Sequence, residues 1–444
     1  MLISLSQEQK QAIRLLSLGT FLEYFDLFLY VHMTVVLNEL FFPPADSCTK
    51  SLLATLAFVS TFVFRPLGAL LLGYIGDTYG RGITVMISTF MMAVTCLVMV
   101  YIPTYARIGI TATWIVVLCR VLQGIASMSE IVGAQLYLTE TIQLPARYPA
   151  VGLMNVFGDL GSIAALGVAT LVTTQAFNWR MAFMLGACVA VIGVMARTAL
   201  RESPEFADAK RRIRGVFKEL NKDTKSLKSS LFYHEKVNKQ TALAYFLIKC
   251  TSPFFIYFTY IYCGEILQVT FGYDVHQTLL HNFFISVVQL LGWSVLRTYL
   301  STKLYPLSIL QFVWKGLFAF SLCLPWLLSM ISAPWQLFLI QSFINVFMAN
   351  DLPAVPIFFR HFPVFKRFSY TSFLYASAYA LVYAVTAFGL THLVAYLGYW
   401  GLWVIMLPIF MGYGYGINHF KKLDVESDRY KQETAIQARA SSAS

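Results

Sequence analysis

Glu23 and Asp26 stand three residues apart inside a largely apolar run from Leu15 to Leu40. In a helix that spacing puts both carboxyls on one face. A second apolar run, 110–138, carries Arg120 and Glu130. An ionisable group at the centre of a bilayer costs roughly 3 kcal/mol or more, so each of these four is a functional candidate. Counted inward at 1.5 Å per residue, Glu23 and Asp26 lie about 12–17 Å deep, near the bilayer midplane. Arg120 falls near the same mid-depth, and Glu130 falls level with Glu23. A carboxyl that burial discourages from ionising and a movable cation encourages can take up and release a proton. Asp26 with Arg120, and Glu23 with Glu130, are therefore the candidate proton-coupling groups. The bland alternative is a permanent salt bridge between two helices.

Other charged residues fall at membrane depth. Asp159 lies among Gly152, Gly158, Gly161 and Gly167, glycines that suit close helix packing. Lys249, Lys315 and Asp351 fall inside later apolar runs, and Asp351 precedes Pro353 and Pro356. A helix broken by prolines exposes backbone groups that can line a cavity. Lys249, Asp351 and Asp159 are the substrate-pathway candidates; Lys315 is placed to snorkel toward the surface. The chain has no Gly-x-Ser-x-Gly, no phosphate-binding Gly-Lys-Ser/Thr loop and no His-Glu-x-x-His pair. No enzyme activity, metal or cofactor is expected, only a proton as coupling ion.

These side chains need long buried elements to hold them. Of the 444 residues, 58% are hydrophobic and 12% are charged, against about 25% charged in a soluble domain. Twelve spanning helices are predicted at 15–40, 52–76, 83–102, 110–138, 148–174, 180–200, 241–270, 278–300, 305–330, 334–360, 368–395 and 398–418. Leu15–Leu40 is too long for the apolar core of a cleaved signal, so none is expected. The polar stretch 201–240 divides the spans into two sets of six. It carries eleven Lys/Arg against six acids. Loops on its side of the membrane hold about 25 basic residues, whereas the opposite side has Lys50, Arg107 and Arg180. That asymmetry puts the stretch and both termini in the cytoplasm. It also accounts for the net charge of +11 without nucleic acid. Of the seven cysteines, six fall in or near the spans and Cys48 falls outside them; they read as small apolar fillers.

Between the second and third spans the chain reads Arg65-Pro66-Leu67-Gly68, then Gly73-Tyr74-Ile75-Gly76-Asp77-Thr78-Tyr79-Gly80-Arg81. This resembles the G-x-x-x-D-x-x-G-R gate loop of the major facilitator superfamily. The resemblance gives Gly73, Asp77, Gly80, Arg81 and Arg65 gating roles, with Asp77 and Arg81 pairing across two halves at the cytoplasmic surface. Three further segments narrow it: Gly19 to Asp26 with Tyr30, Arg120-Val121-Leu122-Gln123-Gly124 with Glu130, and Arg201-Glu202-Ser203-Pro204-Glu205-Phe206. Together they look like the metabolite:proton symporter group, which includes carriers of proline and betaine, α-ketoglutarate and shikimate. The likeness covers residues 15–206. After the eighth span a second gate motif is expected, but Arg297 to Lys303 keeps neither its Asp nor its glycines. Lys421 to Ser444 shows no heptads, so osmotic gating by a coiled-coil tail is not expected.

The resemblance implies an all-α membrane protein of the major facilitator fold. Its parts would be an N-terminal half at 1–200, a linker at 201–240, a C-terminal half at 241–418 and a tail at 419–444. The implied activity is proton-coupled uptake of an organic acid, amino acid or betaine by alternating access. A proton-driven exporter on the same fold, or a receptor-like protein that no longer transports, remain as alternatives. The expected setting is the inner (cytoplasmic) membrane, as a monomer whose partners are the substrate, protons and lipid.

Overall fold

A computed structural model describes residues 5–43, 61–173, 178–197, 236–348, 350–352, 354–430, 432–434 and 436. Most of the basic linker, Lys50, Cys48 and the last eight residues fall outside that set. The described elements are helical. Six long helices precede the linker: α1 (Gln7–Phe41), α2 (Arg65–Thr78), α3 (Arg81–Tyr101), α4 (Ile110–Thr141), α5 (Arg147–Thr173) and α6 (Trp179–Arg197). Six follow it: α7 (Lys239–Phe271), α8 (Val275–Leu300), α9 (Pro306–Ser329), α10 (Pro334–Val346), α11 (Arg367–Leu397) and α12 (Leu402–Glu426). Short helical turns at Tyr105–Ile108, Val355–Phe359 and Gly398–Gly401 complete the described set. Among the described residues, seven helices are long and apolar enough to cross a membrane by length and composition alone.

The helix ends follow local chemistry. Ser6 and Gln9 exchange hydrogen bonds at the start of α1. Asp274 and Gln277 form a capping box at the start of α8, which occupies two otherwise unpaired N–H groups. Proline opens α9 and α10, where its missing N–H costs nothing. Three helices depart from simple rods. The helices α7 and α8 widen into π-type turns over Tyr257–Tyr262 and Leu290–Val295. The predicted span 334–360 is interrupted: α10 ends at Val346 and helix resumes at Val355–Phe359.

Within the N-terminal half, α1 packs on α5, and α3 packs on α4 and α6. Within the C-terminal half, α7 packs on α12 and α11. The halves meet along two seams, α2 against α11 and α5 against α8. Large apolar side chains such as Leu71, Trp114, Phe312 and Trp326 are exposed on the outside of the bundle. In water such a surface would drive aggregation; against acyl chains it is the correct boundary.

Candidate functional site

The α1–α4 contact brings Asp26 to Arg120. Asp26 Oδ2 lies 3.1 Å from Arg120 Nη1, and both side chains are buried. Each partner also has neutral company. Gln123, one helical turn after Arg120, donates its amide to Asp26 Oδ1 at 3.2 Å and accepts from Arg120 through its carbonyl. Cys96 Sγ of α3 lies 3.5 Å from the same carboxylate oxygen. The Arg120 guanidinium sits 3.6 Å from the centre of the Tyr30 ring. When Asp26 becomes neutral, Arg120 therefore still has a carbonyl and an aromatic face to hold it. An ion pair furnished this way can open without stranding a bare cation.

The other two proton-coupling candidates go elsewhere than the predicted pairing of Glu23 with Glu130. Glu23 faces Arg65 of α2 at 3.7 Å, and Glu130 accepts hydrogen bonds from Ser88 and Thr89 of α3 at 3.0 and 2.9 Å. Arg65 was grouped with the gate loop, but it lies twelve residues before Asp77 along the chain, about 18 Å along a helix. It stacks on Phe62 at 4.5 Å. Its place is beside the buried carboxylates.

In the C-terminal half, Lys249 of α7 and Asp351, in the break after α10, form an ion pair at 2.6 Å. Aromatic faces surround the ammonium: it lies 4.1 Å from the Tyr375 ring centre and 5.4 Å from that of Tyr245. The Tyr245 hydroxyl is buried and has no hydrogen-bond partner among the described residues. Asp159 of α5 is removed from both pairs. It crosses the α5–α8 seam to accept from Gln289 Nε2 at 2.8 Å and from the Ser294 hydroxyl. Lys315 is exposed on α9.

The gate loop closes one end of the bundle. Asp77 accepts from the backbone N–H groups of Phe368 and Ser369, at 3.1 and 2.8 Å, and from the Ser369 hydroxyl at 2.6 Å. These N–H groups belong to the first turn of α11, where no intrahelical acceptor exists and the helix dipole favours an anion. Asp77 is thus an N-cap supplied by the opposite half. Arg81 lies 3.4 Å from Asp77, 3.4 Å from Glu140, and donates to the Val364 carbonyl at 2.8 Å. Glu140 also pairs with Arg367 at 3.1 Å. Gly80 holds φ at 136° before α3, a conformation that L side chains rarely adopt. A Cβ on Gly73 would come within 2.8 Å of Ser369 Cα, and one on Gly76 within 2.0 Å of the Phe368 ring. Without side chains there, α2 can seat on α11.

The same end is tied again by the tail. Glu433 accepts from the Tyr148 hydroxyl, at the start of α5, at 2.5 Å and from Arg360 of the C-terminal half at 2.6 Å. Arg360 and His361 both reach Asp424, at 2.5 and 3.0 Å. Burial alone would raise the Asp424 pKa, but the hydrogen bonds from His361 and Arg360 outweigh it and hold it below the usual carboxylate value. The bundle is closed at this basic end.

Sequence reading missed several of these partners. Gln123, Ser88 and Thr89 are polar residues inside apolar runs, and their spacing from Arg120 and from one another was the available signal. The Phe368 and Ser369 N–H groups had none, because every residue has a backbone.

A family profile described as Major Facilitator Superfamily matches residues 16–350. The proline/betaine transporter of Salmonella typhimurium is 34% identical over 208 residues, covering 44% of this chain and 41% of that protein. The glycine betaine/proline/ectoine/pipecolic acid transporter OusA of Dickeya dadantii is also 34% identical over 208 residues, with the same coverage. The chain spans about two fifths of the length of these curated relatives. Among solved structures, the proton:xylose symporter XylE bound to 6-bromo-6-deoxy-D-glucose superposes with a TM-score of 0.73 at 16% identity, over 92% of this chain and 95% of that one. That likeness concerns the fold.

Proposed function

Because this chain belongs to the Major Facilitator Superfamily, and is thus a multi-pass membrane protein, we propose that it takes up a small zwitterion, of the proline or betaine kind, together with a proton. The observation that carries this reading is the Asp26–Arg120 pair with its neutral reserve partners. Protonating Asp26 removes the ion pair, and Gln123 and Tyr30 hold Arg120 meanwhile. An inside-negative potential drives a symported cation inward by about 2.3 kcal/mol per charge per 100 mV.

The substrate class rests on the second ion pair. A zwitterion offers a carboxylate to Lys249 and a positive nitrogen to Asp351 and the faces of Tyr245 and Tyr375. It can therefore replace both members of the pair at once. The names of the two curated relatives point to the same class. The strong basic asymmetry of the loops supports an inner (cytoplasmic) membrane setting with both termini inside. On that orientation, the closed basic end faces the cytoplasm. A monomer without an organic cofactor completes the reading.

The test is uptake of labelled proline and glycine betaine into proteoliposomes, with and without an inward proton gradient. Accumulation that collapses when a protonophore is added supports symport. Net efflux driven by the same gradient would mark an exporter, and no flux in either direction would mark a receptor-like protein.

A further inference from the structure

The second seam lacks the gate motif that seals the first. At the end of α8, Arg297 to Lys303 offers no Asp to cap α5. The close approach is nevertheless kept: a Cβ on Gly152 would lie 2.8 Å from Thr298 Oγ1. The polar tie has moved along the helices to Asp159. From α8, Gln289 donates to one of its carboxylate oxygens and Ser294 to the other. Both donors are oriented from behind. The Gln289 carbonyl accepts from the Tyr260 hydroxyl at 2.9 Å, which turns its amide toward Asp159. Ser294 accepts from Asn155 at 2.8 Å, which leaves its own proton for the carboxylate.

Asp159 is 5% exposed. Its hydrogen-bond partners are neutral, and no cation lies within ion-pair distance among the described residues. The titratable groups facing it are Tyr24 of α1 and Tyr260 of α7. On α4, Arg120 is engaged with Asp26, and Glu130 with Ser88 and Thr89. Arg180 of α6 donates to the Ile102 carbonyl, and Val355–Phe359 carries no ionisable side chain. On α8, Arg297 donates to the Met348 carbonyl. Only hydrogen bonds from neutral donors meet the charge of this carboxylate.

We propose that Asp159 is a proton-operated latch: ionised, it holds α5 against α8 and keeps the basic end closed; protonated, it releases that seam. Charge-assisted hydrogen bonds are roughly twice as strong as neutral ones. Adding a proton removes the charge from both bonds and leaves one oxygen facing a donor as a donor itself. The sign follows: the tie is present while Asp159 is ionised and is lost as pH falls through its titration. The proposal rests on the symport reading and adds to it a second protonation, at Asp159, that opens the basic end. It also explains how the C-terminal half closes without a second gate motif.

The test measures the distance across this seam in the full-length protein, reconstituted in nanodiscs without substrate. Spin labels are introduced at exposed Gln143, just before α5, and Lys303, just after α8, by cysteine-independent chemistry. The wild type should shift to longer distances on going from mildly alkaline to mildly acidic pH. Asp159→Asn should give the long distance at both. Ser294→Ala, which leaves the acid in place, should be longer than wild type under alkaline conditions and still respond to acid. Asp26→Asn should keep the wild-type pH response. A wild-type pH response in Asp159→Asn, or none in the wild type, overturns the latch. Loss of the response in Asp26→Asn but not in Asp159→Asn assigns the proton to Asp26 alone, which overturns the latch and leaves the symport reading standing.

Discussion

In the N-terminal half, Asp26 meets Arg120 in the company of Gln123, Cys96 and Tyr30. In the C-terminal half, Lys249 meets Asp351 against the rings of Tyr245 and Tyr375. Both pairs are buried, yet they fail differently. Removing the charge on Asp26 leaves Arg120 a carbonyl and a ring. Removing Lys249 takes away the cation that pairs with the buried Asp351 carboxylate. The first arrangement suits a proton, which changes the charge of one partner and vacates no space. The second suits a ligand that brings two opposite charges of its own.

The comparison is broken or sharpened by four substitutions. The largest effect is expected for Lys249→Met. Stranding one member of a buried ion pair costs about 3–5 kcal/mol, read as a large fall in Tm, and adding Asp351→Asn should recover much of it. If Lys249→Met is no more harmful to stability than Asp26→Asn, the contrast between the pairs is wrong. Next comes Asp77→Asn, which touches neither pair and serves as a control on conformational state. Losing charge-assisted bonds to the α11 N-terminus costs about 1.5–3 kcal/mol, or about ten- to hundredfold in the ratio of closed to open molecules. Turnover should fall while half-saturation in counterflow stays nearly constant; a change confined to half-saturation would remove Asp77 from the gate.

Asp26→Asn ranks third in stability, at about 1 kcal/mol, because an amide keeps part of the hydrogen bonding. The smallest change in stability is expected for Tyr245→Phe. Its hydroxyl has no hydrogen-bond partner among the described residues, and the ring that faces Lys249 is retained. Tm should stay level or rise slightly. If substrate uses that hydroxyl, its affinity should fall about three- to tenfold. Unchanged affinity measured by binding calorimetry would move the substrate away from Tyr245.

The helices were legible because their apolar runs are long and their ends carry ordinary signals, such as Asp274 before α8 and proline at the start of α9 and α10. Asp26 and Arg120 were legible as neighbours in depth, since a rise of 1.5 Å per residue turns sequence position into depth. Depth does not say which way a side chain points around the helix, and so Glu23 was matched to Glu130 when Arg65 is its ion-pair partner. The Lys249–Asp351 pair depended on where the tenth span breaks, which its prolines mark only coarsely. Asp77 was singled out by the motif, but two of its partners across the seam are backbone N–H groups. Asp159 was singled out as a charge among glycines. The neutral residues that receive it, Gln289 and Ser294, lie about 130 residues away with no periodicity to mark them.

The central claim is that Asp26 carries the coupled proton. Its most direct test sets counterflow beside gradient-driven accumulation for Asp26→Asn, using labelled proline or glycine betaine in one preparation of proteoliposomes. The variant should exchange internal for external substrate at a rate near that of the wild type, and an imposed proton gradient should give it no accumulation. Accumulation at the wild-type level by Asp26→Asn would contradict the claim.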